Sequence, residues 1–286
     1  MRTGIIGLGA MGLGMVRRVA GAGYLCAVYN RTTSKAIELA EELNVTAYTD
    51  PADLAAAVDL ILICVSADRD VLEVINAIAG SIKTGAIVVD MSTVSSDTAR
   101  TAAAILAKKQ AFFLDAPVSG GVEGARTGAL SMMIGGDADV LAQAKPVLDC
   151  MATRITHMGD VGAGQATKAV NQIICAGINQ AVTEALAFGQ AQGLPMEKVI
   201  AVISAGAAGN WFLDNRGLTM INGVFNPGFK LALHHKDLLI CRQMAERAHI
   251  KIPVSDMTLA DYAALMAEGH GNEDISALFR LKKAPD

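Results

Sequence analysis

Aromatic and charged side chains are scarce in this 286-residue sequence. Phe, Trp and Tyr make up 4% of the residues and Asp, Glu, Lys and Arg 18%, whereas 52% are hydrophobic. With few bulky rings and 28 glycines, helices and strands are expected to approach one another closely. The net charge of -4 gives no electrostatic basis for binding nucleic acid. We therefore expect a globular protein with a sizeable core and no nucleic-acid partner.

The sequence also lacks a membrane-spanning run and a disulfide framework. No apolar run reaches the roughly 20 residues needed to cross a bilayer. The 5 cysteines are dispersed, which is typical of reduced thiols in the cytosol. The 5 histidines include a single adjacent pair, and neighbours on a helix point apart, so no metal site is expected. These absences predict a soluble cytoplasmic protein that does not insert into membranes.

The first 160 residues alternate short apolar runs with amphipathic stretches. This alternation predicts a parallel, right-handed, doubly wound sheet of the Rossmann type. We predict that residues 1–160 form one such α/β domain. Strands are predicted at 3–7, 26–30, 60–65 and 86–90, and helices at 11–22, 34–43, 68–79 and 95–108.

The pattern changes after residue 160. Residues 162–192 have helical periodicity without proline, and Gly193 and Pro195 then end the helix. Helices are also expected at 196–205, 230–248 and 254–268, with almost no strand pattern. We therefore predict that residues 161–286 form an all-α substrate and oligomerisation domain, entered through a long connecting helix. Trp211, near a helix start, either caps a substrate pocket or packs between subunits, and the sequence leaves both open.

A glycine-rich turn joins the first predicted strand to the first helix. Glycines there allow a tight turn, close approach of a pyrophosphate and close helix packing, and the helix N-terminus supplies N–H donors. We predict a dinucleotide site, with a purely structural turn as the alternative. Its residues are Gly7, Leu8, Gly9, Ala10, Met11 and Gly12.

The second predicted strand ends in Asn30, Arg31 and Thr32. An NAD-specific site usually has Asp or Glu at this place, about 20 residues past the glycines, to bind the ribose 2′-hydroxyl. Here the three side chains offer donors instead, and Arg31 can pair with a 2′-phosphate. The sequence therefore predicts that NADP is preferred and that NAD is used more weakly.

Three more motifs follow in order along the chain. They are Asp-Ala-Pro-Val-Ser-Gly-Gly-Val at 115–122, Gly-Ala-Gly-Gln-Ala-Thr-Lys-Ala-Val-Asn at 162–171 and Leu-His-His-Lys-Asp-Leu at 233–238. Together with the glycine-rich turn, they make the chain resemble the β-hydroxyacid dehydrogenases over essentially its whole length. That family includes 3-hydroxyisobutyrate dehydrogenase and the tartronate semialdehyde, glyoxylate and succinic semialdehyde reductases. The resemblance implies an NAD(P)-dependent enzyme, forming a homodimer or homotetramer, that interconverts a small β-hydroxy or ω-hydroxy acid and its semialdehyde.

The motifs suggest where the substrate binds. Ser119, Gly120 and Gly121 follow a proline and predict a loop whose backbone N–H groups and serine hydroxyl surround a carboxylate. The resemblance implies that this loop binds the substrate acid. Lys168 and Asn171 are three residues apart and share one helix face. By resemblance, Lys168 is the general acid and base, and Asn171 orders the substrate. Partial removal from water in a cleft lowers the pKa of a lysine toward the range useful for acid–base work.

The resemblance implies further contacts. It places Thr93, after the apolar strand 86–90, near the nicotinamide ribose, at the sheet edge where doubly wound folds bind ligands. Val65 ends the preceding strand and is expected to contact the cofactor, and Ser66 and Asp68 follow it and are expected to line the adenosine side. Lys236 is expected to reach both substrate and cofactor. Gln172 departs from the family pattern, because many relatives have a second Asn there.

Other functions stay open. The helical domain is too short for 6-phosphogluconate dehydrogenase, and imine reductases typically replace the catalytic lysine. A non-catalytic NADP-binding protein is a further alternative, against which the retained Lys168 argues. The sequence does not select the acid, and sulfolactaldehyde, with a sulfonate, remains possible. Residues 30–32 resemble the NADPH-using semialdehyde and glyoxylate reductases, whereas residues 121–125 resemble the hydroxyisobutyrate and tartronate branch.

Overall fold

A computed structural model describes residues 1–283 of the protein. The chain divides into two compact units, Met1–Lys168 and the residues from Ala169 onward. Among the described residues, no helix is both long and apolar enough to cross a membrane. The same residues contain no group of three or more His, Cys, Asp or Glu side chains arranged to hold a metal ion.

The first unit contains nine strands and seven complete helices. Its strands are β1 (Thr3–Ile6), β2 (Leu25–Tyr29), β3 (Thr46–Ala47), β4 (Leu60–Ile63), β5 (Ile87–Asp90), β6 (Phe112–Asp115), β7 (Val118–Ser119), β8 (Leu130–Gly135) and β9 (Ala152–Gly159). Its helices are α1 (Ala10–Gly21), α2 (Thr33–Leu43), α3 (Pro51–Ala57), α4 (Asp68–Ile78), α5 (Ser96–Ala107), α6 (Gly121–Thr127) and α7 (Ala138–Leu148). The long helix α8 (Ala163–Ala191) begins in this unit.

The strands form one sheet, in which β3, β2, β1, β4, β5 and β6 are neighbours in that order and parallel. Its two faces are covered by separate apolar cores, because alternate residues of a strand point to opposite faces. In β4, Leu60 and Leu62 pack on one face and Ile61 and Ile63 on the other. This arrangement confirms the predicted doubly wound α/β domain.

The far edge of the sheet departs from the all-parallel prediction. Strand β8 runs antiparallel to β6 and β7, and β9 pairs with β8 in parallel. The connection between β7 and β8 spans only residues 120–129, and a parallel crossover needs roughly a dozen residues or more. The short connection therefore returns the chain antiparallel.

The predicted strand 60–65 is two residues too long. It ends at Ile63, and the Val65 N–H donates 2.9 Å to the Ser92 hydroxyl instead of to a neighbouring strand. The apolar run thus continues past the strand into a loop that is tied to the end of β5.

The second unit is helical, as predicted. After α8 it contains α9 (Met196–Ser204), α10 (Trp211–Ile221), α11 (Leu231–Arg247), α12 (Pro253–Ala267) and two 3-10 helices, His270–Asn272 and Ile275–Leu281. Its core includes the fully buried Tyr262, Leu278 and Phe279. Helix α8 ends at Ala191, and Gly193 adopts φ +69°. Because that backbone conformation favours glycine, the predicted stop at Gly193 is confirmed.

Candidate active site

The glycine-rich turn is fixed by close packing around two of its glycines. Gly7 has φ +101°, and a Cβ there would collide with the Cys64 carbonyl oxygen. A Cβ on Gly12 would collide with the Gly7 carbonyl oxygen. A Cβ on Gly9, in contrast, would have nothing within 4 Å. Gly7 and Gly12 therefore shape the turn, whereas Gly9 leaves open space beside its backbone.

The start of α1 suits an anion. Gly9 is its N-cap residue, no side chain caps it, and its first turn contains no acid. The first N–H groups of a helix have no partners within the helix and carry partial positive charge. The turn therefore fits a dinucleotide pyrophosphate, with space at Gly9 and donors at Ala10 and Met11.

Asn30 supports the glycine-rich turn from the end of β2. Its side-chain oxygen accepts from the Leu8 N–H at 3.0 Å, and its Nδ2 donates to the Thr32 carbonyl at 3.1 Å. These bonds occupy the amide in holding loops together. Its predicted role as a donor to the cofactor stays a prediction.

Arg31 lies next to Asn30 and points its charge outward. Its side chain is 79% exposed, and Nη1 lies 3.2 Å from Oδ1 of Asp70 on α4. An exposed ion pair of this kind is weak, so a doubly charged phosphate competes well for the guanidinium. Thr32, also exposed, precedes α2.

The end of β5 carries a buried carboxyl group. Oδ1 of Asp90 accepts from the Ser92 N–H at 3.0 Å, whereas Oδ2 has no partner among the residues described. Burial, opposed by the Ser92 hydrogen bonds, raises the pKa of Asp90 to about 7. Thr93 follows as a half-buried residue between the buried Ser92 and Val94.

The predicted substrate loop is a turn between a strand and a short helix. Val118–Ser119 pairs with β8, Gly120 and Gly121 adopt φ +125° and +62°, and α6 begins at Gly121. Glycines are needed at both positive-φ positions. Helix α6 packs directly on α1, where a Cβ on Gly14 would lie 2.8 Å from the Ala125 carbonyl carbon. The Ser119 turn is thus fixed against the helix that begins at the glycine-rich turn.

Lys168 is buried beside that turn. Its side chain comes from α8, the residue is 8% exposed, and Nζ donates to the Val118 carbonyl at 2.8 Å. The acceptor belongs to the residue directly before Ser119. The structure therefore brings together two residues predicted to bind and protonate one substrate.

Asp115 fixes the start of α8. Its carboxylate oxygens accept from the Gly162 N–H at 2.7 Å and the Gln165 N–H at 2.8 Å. Burial raises the pKa of this carboxyl, although the backbone N–H bonds oppose the shift. Since Asp115 ends β6, the first turn of the helix that carries Lys168 is attached to the sheet.

Asn171 and Lys236 lie in the second unit and are linked there by other side chains. Nδ2 of Asn171 donates to Oε1 of Gln172 at 2.7 Å, and Nε2 of Gln172 donates to Oδ2 of Asp237 at 2.6 Å. Oδ1 of Asp237 lies 3.0 Å from Nζ of Lys236. Gln172, noted only as a departure from the family pattern, thus connects both predicted residues.

Comparison with known proteins decides the family. The sequence model for the NAD binding domain of 6-phosphogluconate dehydrogenase matches residues 2–159, and that for the NAD-binding domain of NADP-dependent 3-hydroxyisobutyrate dehydrogenase matches residues 162–282. The chain is 36% identical to the 2-hydroxy-3-oxopropionate reductase of Escherichia coli, covering 97% of this chain and 96% of that protein. The chain belongs to the β-hydroxyacid dehydrogenase family.

Solved structures agree with this assignment. A structure of Mycobacterium tuberculosis 3-hydroxyisobutyrate dehydrogenase with L-serine superimposes with a TM-score of 0.91 at 29% identity, covering 99% of this chain and 100% of that one. A structure of Psf3 in complex with NADP+ and 2-OPP gives a TM-score of 0.87 at 25% identity, covering 98% and 99%. The predicted family, fold and NAD(P)-dependent hydroxyacid dehydrogenase class are therefore confirmed.

The dehydrogenase's predicted cofactor residues lie along one edge of the sheet. The glycine-rich turn, Asn30, Val65 and Thr93 follow the carboxyl ends of β1, β2, β4 and β5, which are neighbouring parallel strands. The sequence patterns did not indicate the residues that hold the predicted ones in place: Asp70, Asp90, Asp115, Gln165 and Asp237. Asp90 and Asp115 each end a strand, and this position of a carboxyl group is the feature of the sequence that could have indicated them.

Trp211 begins α10. Its side chain is 65% exposed, and the guanidinium carbon of Arg216 lies 5.4 Å from the centre of its ring. The alternatives of a substrate cap and a subunit contact both remain predictions.

Proposed function

We propose that this dehydrogenase uses NADPH in preference to NADH to reduce a small aldehyde that carries a carboxylate, or to oxidise the matching alcohol. The observation that carries the proposal is the buried Lys168, whose Nζ bonds to the carbonyl directly before Ser119. A cation there lies next to the predicted carboxylate loop. When bound, the dinucleotide supplies or accepts the hydride.

Each remaining role is assigned to a residue of the chain. The Ser119 hydroxyl and the Gly120–Gly121 backbone bind the substrate carboxylate. Lys168 gives a proton to the carbonyl oxygen in reduction and takes it back in oxidation. Asn171 orders the substrate, and Lys236 supplies a second cation for substrate and cofactor, both on the strength of the family motifs.

The remaining cofactor-binding residues belong to the first domain, which we propose extends over residues 1–160. The turn at residues 7–12 binds the pyrophosphate, and Arg31 and Thr32 bind the 2′-phosphate. Val65 and Ser66 contact the adenosine side, and Thr93 the nicotinamide ribose. Preference for NADPH is supported by the absence of an acid at the end of β2 and by the weakly held guanidinium of Arg31.

The test is steady-state kinetics on a panel of short aldehyde acids. The panel contains 2-hydroxy-3-oxopropionate, the substrate named for the Escherichia coli relative, then glyoxylate, the succinic and methylmalonate semialdehydes, and sulfolactaldehyde. We expect turnover with NADPH on at least one of them. If NADPH binds but all five are inert, the non-catalytic alternative gains support.

Lys168→Ala tests the mechanism on the best substrate. It should lower kcat by a factor of about 100 or more, the usual scale for a general acid–base group, with NADPH binding retained. Lys109→Ala, an exposed lysine, is the matched control and should match the wild type. Wild-type turnover in Lys168→Ala would overturn the assignment.

We also propose that the chain forms a homodimer or homotetramer in the cytoplasm through its domain at 161–286. Exposed apolar side chains in the second unit support an interface, among them Phe188 and Val202 at 64% and 71% exposure. All five cysteines are free, which fits a reducing compartment. Light scattering should give twice or four times the chain mass, and a monomer at micromolar concentration would contradict the proposal.

A further inference from the structure

Gln165 lies at the point where two parts of the first unit meet. It is 1% exposed, it stands in the first turn of α8, and it precedes Lys168 by three residues, so both share one helix face. Its backbone N–H donates to Asp115, which fixes its position on the helix.

The side-chain amide of Gln165 bonds to both peptide groups that flank Thr93. Nε2 donates to the Ser92 carbonyl at 2.8 Å, and Oε1 accepts from the Val94 N–H at 3.2 Å. A primary amide holds an NH2 donor group and a carbonyl acceptor in a single rigid plane. Both of its polar groups are therefore used in holding the segment 92–94.

The same segment is held from its other side. The Ser92 hydroxyl accepts from the Val65 N–H, and the Ser92 N–H donates to Asp90. Consequently, the loops after β4 and β5 and the first turn of α8 form one hydrogen-bonded unit.

We infer that Gln165 is a positioning residue that sets Thr93 and Lys168 in register for catalysis. The inference rests on the proposed function, in which Thr93 touches the cofactor and Lys168 the substrate. Hydride and proton transfer need both groups at fixed separation, and a displacement of about 1 Å costs on the order of 100-fold in rate. The two hydrogen bonds of the Gln165 side chain supply that fixed separation, because they join the backbone on either side of Thr93 directly to the helix that carries Lys168.

Gln165→Met is the first test, because it keeps the side-chain length and removes both hydrogen bonds. We expect kcat to fall about 10- to 100-fold. The KM for the aldehyde acid should stay within about 3-fold, since Ser119 is held by β8 and α6. Gln143→Met, on the exposed face of α7, is the matched control. A folded Gln165→Met variant with wild-type kcat would overturn the inference.

Gln165→Glu is the second test, and it also covers a failure of the first variant to fold. A protonated carboxyl donates once and accepts once, as the amide does, whereas a carboxylate only accepts and would face the Ser92 carbonyl. We expect kcat relative to wild type to recover as pH falls and to decline as pH rises. A ratio that is independent of pH would contradict the inference, because a packing defect has no such dependence.

The Gln165 and Lys168 variants together separate the positioning role of Gln165 from the catalytic role of Lys168. If Lys168→Ala abolishes turnover while both Gln165 variants match wild type, only the positioning role is wrong. If Lys168→Ala keeps wild-type turnover, the proposed mechanism itself is wrong.

Discussion

The Gly9→Ala substitution adds one methyl group, which is expected to weaken cofactor binding without unfolding the protein. Gly9 has φ -73° and ψ -173°, which alanine adopts without strain, and its new Cβ would meet no atom within 4 Å. Gly-to-Ala changes at compatible positions stabilise a protein by roughly 0.4–1 kcal/mol. Because Gly9 is the N-cap residue of α1, where alanine is less favourable than glycine by a similar amount, we expect the two effects to offset and the free energy of unfolding to stay within about 1 kcal/mol of wild type.

The affinity for the cofactor, in contrast, should fall clearly. The methyl group fills the space that a pyrophosphate needs beside the start of α1, and hydrogen bonds to a charged group contribute about 1.5–3 kcal/mol each. Losing one such bond corresponds to a rise of roughly 10- to 150-fold in the NADPH Kd, measured by fluorescence titration. NADH should be affected equally, since both cofactors share the pyrophosphate.

The matched control is Gly21→Ala at the other end of the same helix. A Cβ on Gly21 also meets nothing within 4 Å, and α1 ends there. This variant should have wild-type NADPH affinity. If Gly9→Ala binds NADPH as the wild type does, or if its loss of affinity comes with a loss of stability beyond about 1 kcal/mol, Gly9 does not make room for the pyrophosphate.

Two further changes test the charge assignments. Arg31→Ala should raise the KM for NADPH about 10-fold or more and leave the KM for NADH nearly unchanged. The control is Arg69→Ala, at an exposed arginine on α4, which should alter neither KM. Equal effects of Arg31→Ala on both cofactors would show that Arg31 does not bind the 2′-phosphate. Asp90→Asn should alter the pH dependence of stability, because the pKa of Asp90 is raised from 3.8 to about 7 by burial. Because the carboxyl pKa is raised in the folded state, the contribution of Asp90 to the free energy of unfolding is fully present below about pH 4 and is lost as pH rises through 7. The variant should therefore match wild type in urea unfolding at pH 4 and be more stable than wild type at pH 8, by at most on the order of 4 kcal/mol. If variant and wild type are equally stable at pH 8 as well as at pH 4, Asp90 is not the titrating group.

The order of strands and helices could be predicted because its pattern is local. Buried parallel strands such as β4 and β5 are continuous apolar runs, and the glycine-rich turn has a fixed spacing. The antiparallel edge could not be predicted, since β7 has only two residues and its partner is chosen by the length of a connection. Helix α10 was indicated only by its start near Trp211, where Asn210 caps it by accepting from the Leu213 N–H at 2.9 Å.

The residues predicted from the sequence are those expected to contact ligands, whereas the residues that the sequence did not indicate hold other protein groups in place. Gln165 lies within a motif that was noted for its lysine, and nothing in the sequence indicates that its amide reaches 73 residues back to Ser92. Asn30 was predicted as a donor to the cofactor, which stays a prediction, but nothing in the sequence indicated that its amide also bonds to Leu8 and Thr32. Long-range hydrogen bonds of this kind depend on the tertiary fold, which sequence spacing does not encode.

Hydride transfer to a carboxylate-bearing aldehyde with Lys168 as proton donor can be followed with an isotope. The most direct measurement uses NADPH deuterated at the transferable C4 position, the best substrate of the panel and mass spectrometry of the product. We expect one deuterium on the carbinol carbon with the wild-type enzyme and with Lys109→Ala, and product formation reduced about 100-fold or more with Lys168→Ala. Product without deuterium, or equal labelling rates with and without Lys168, would contradict this mechanism.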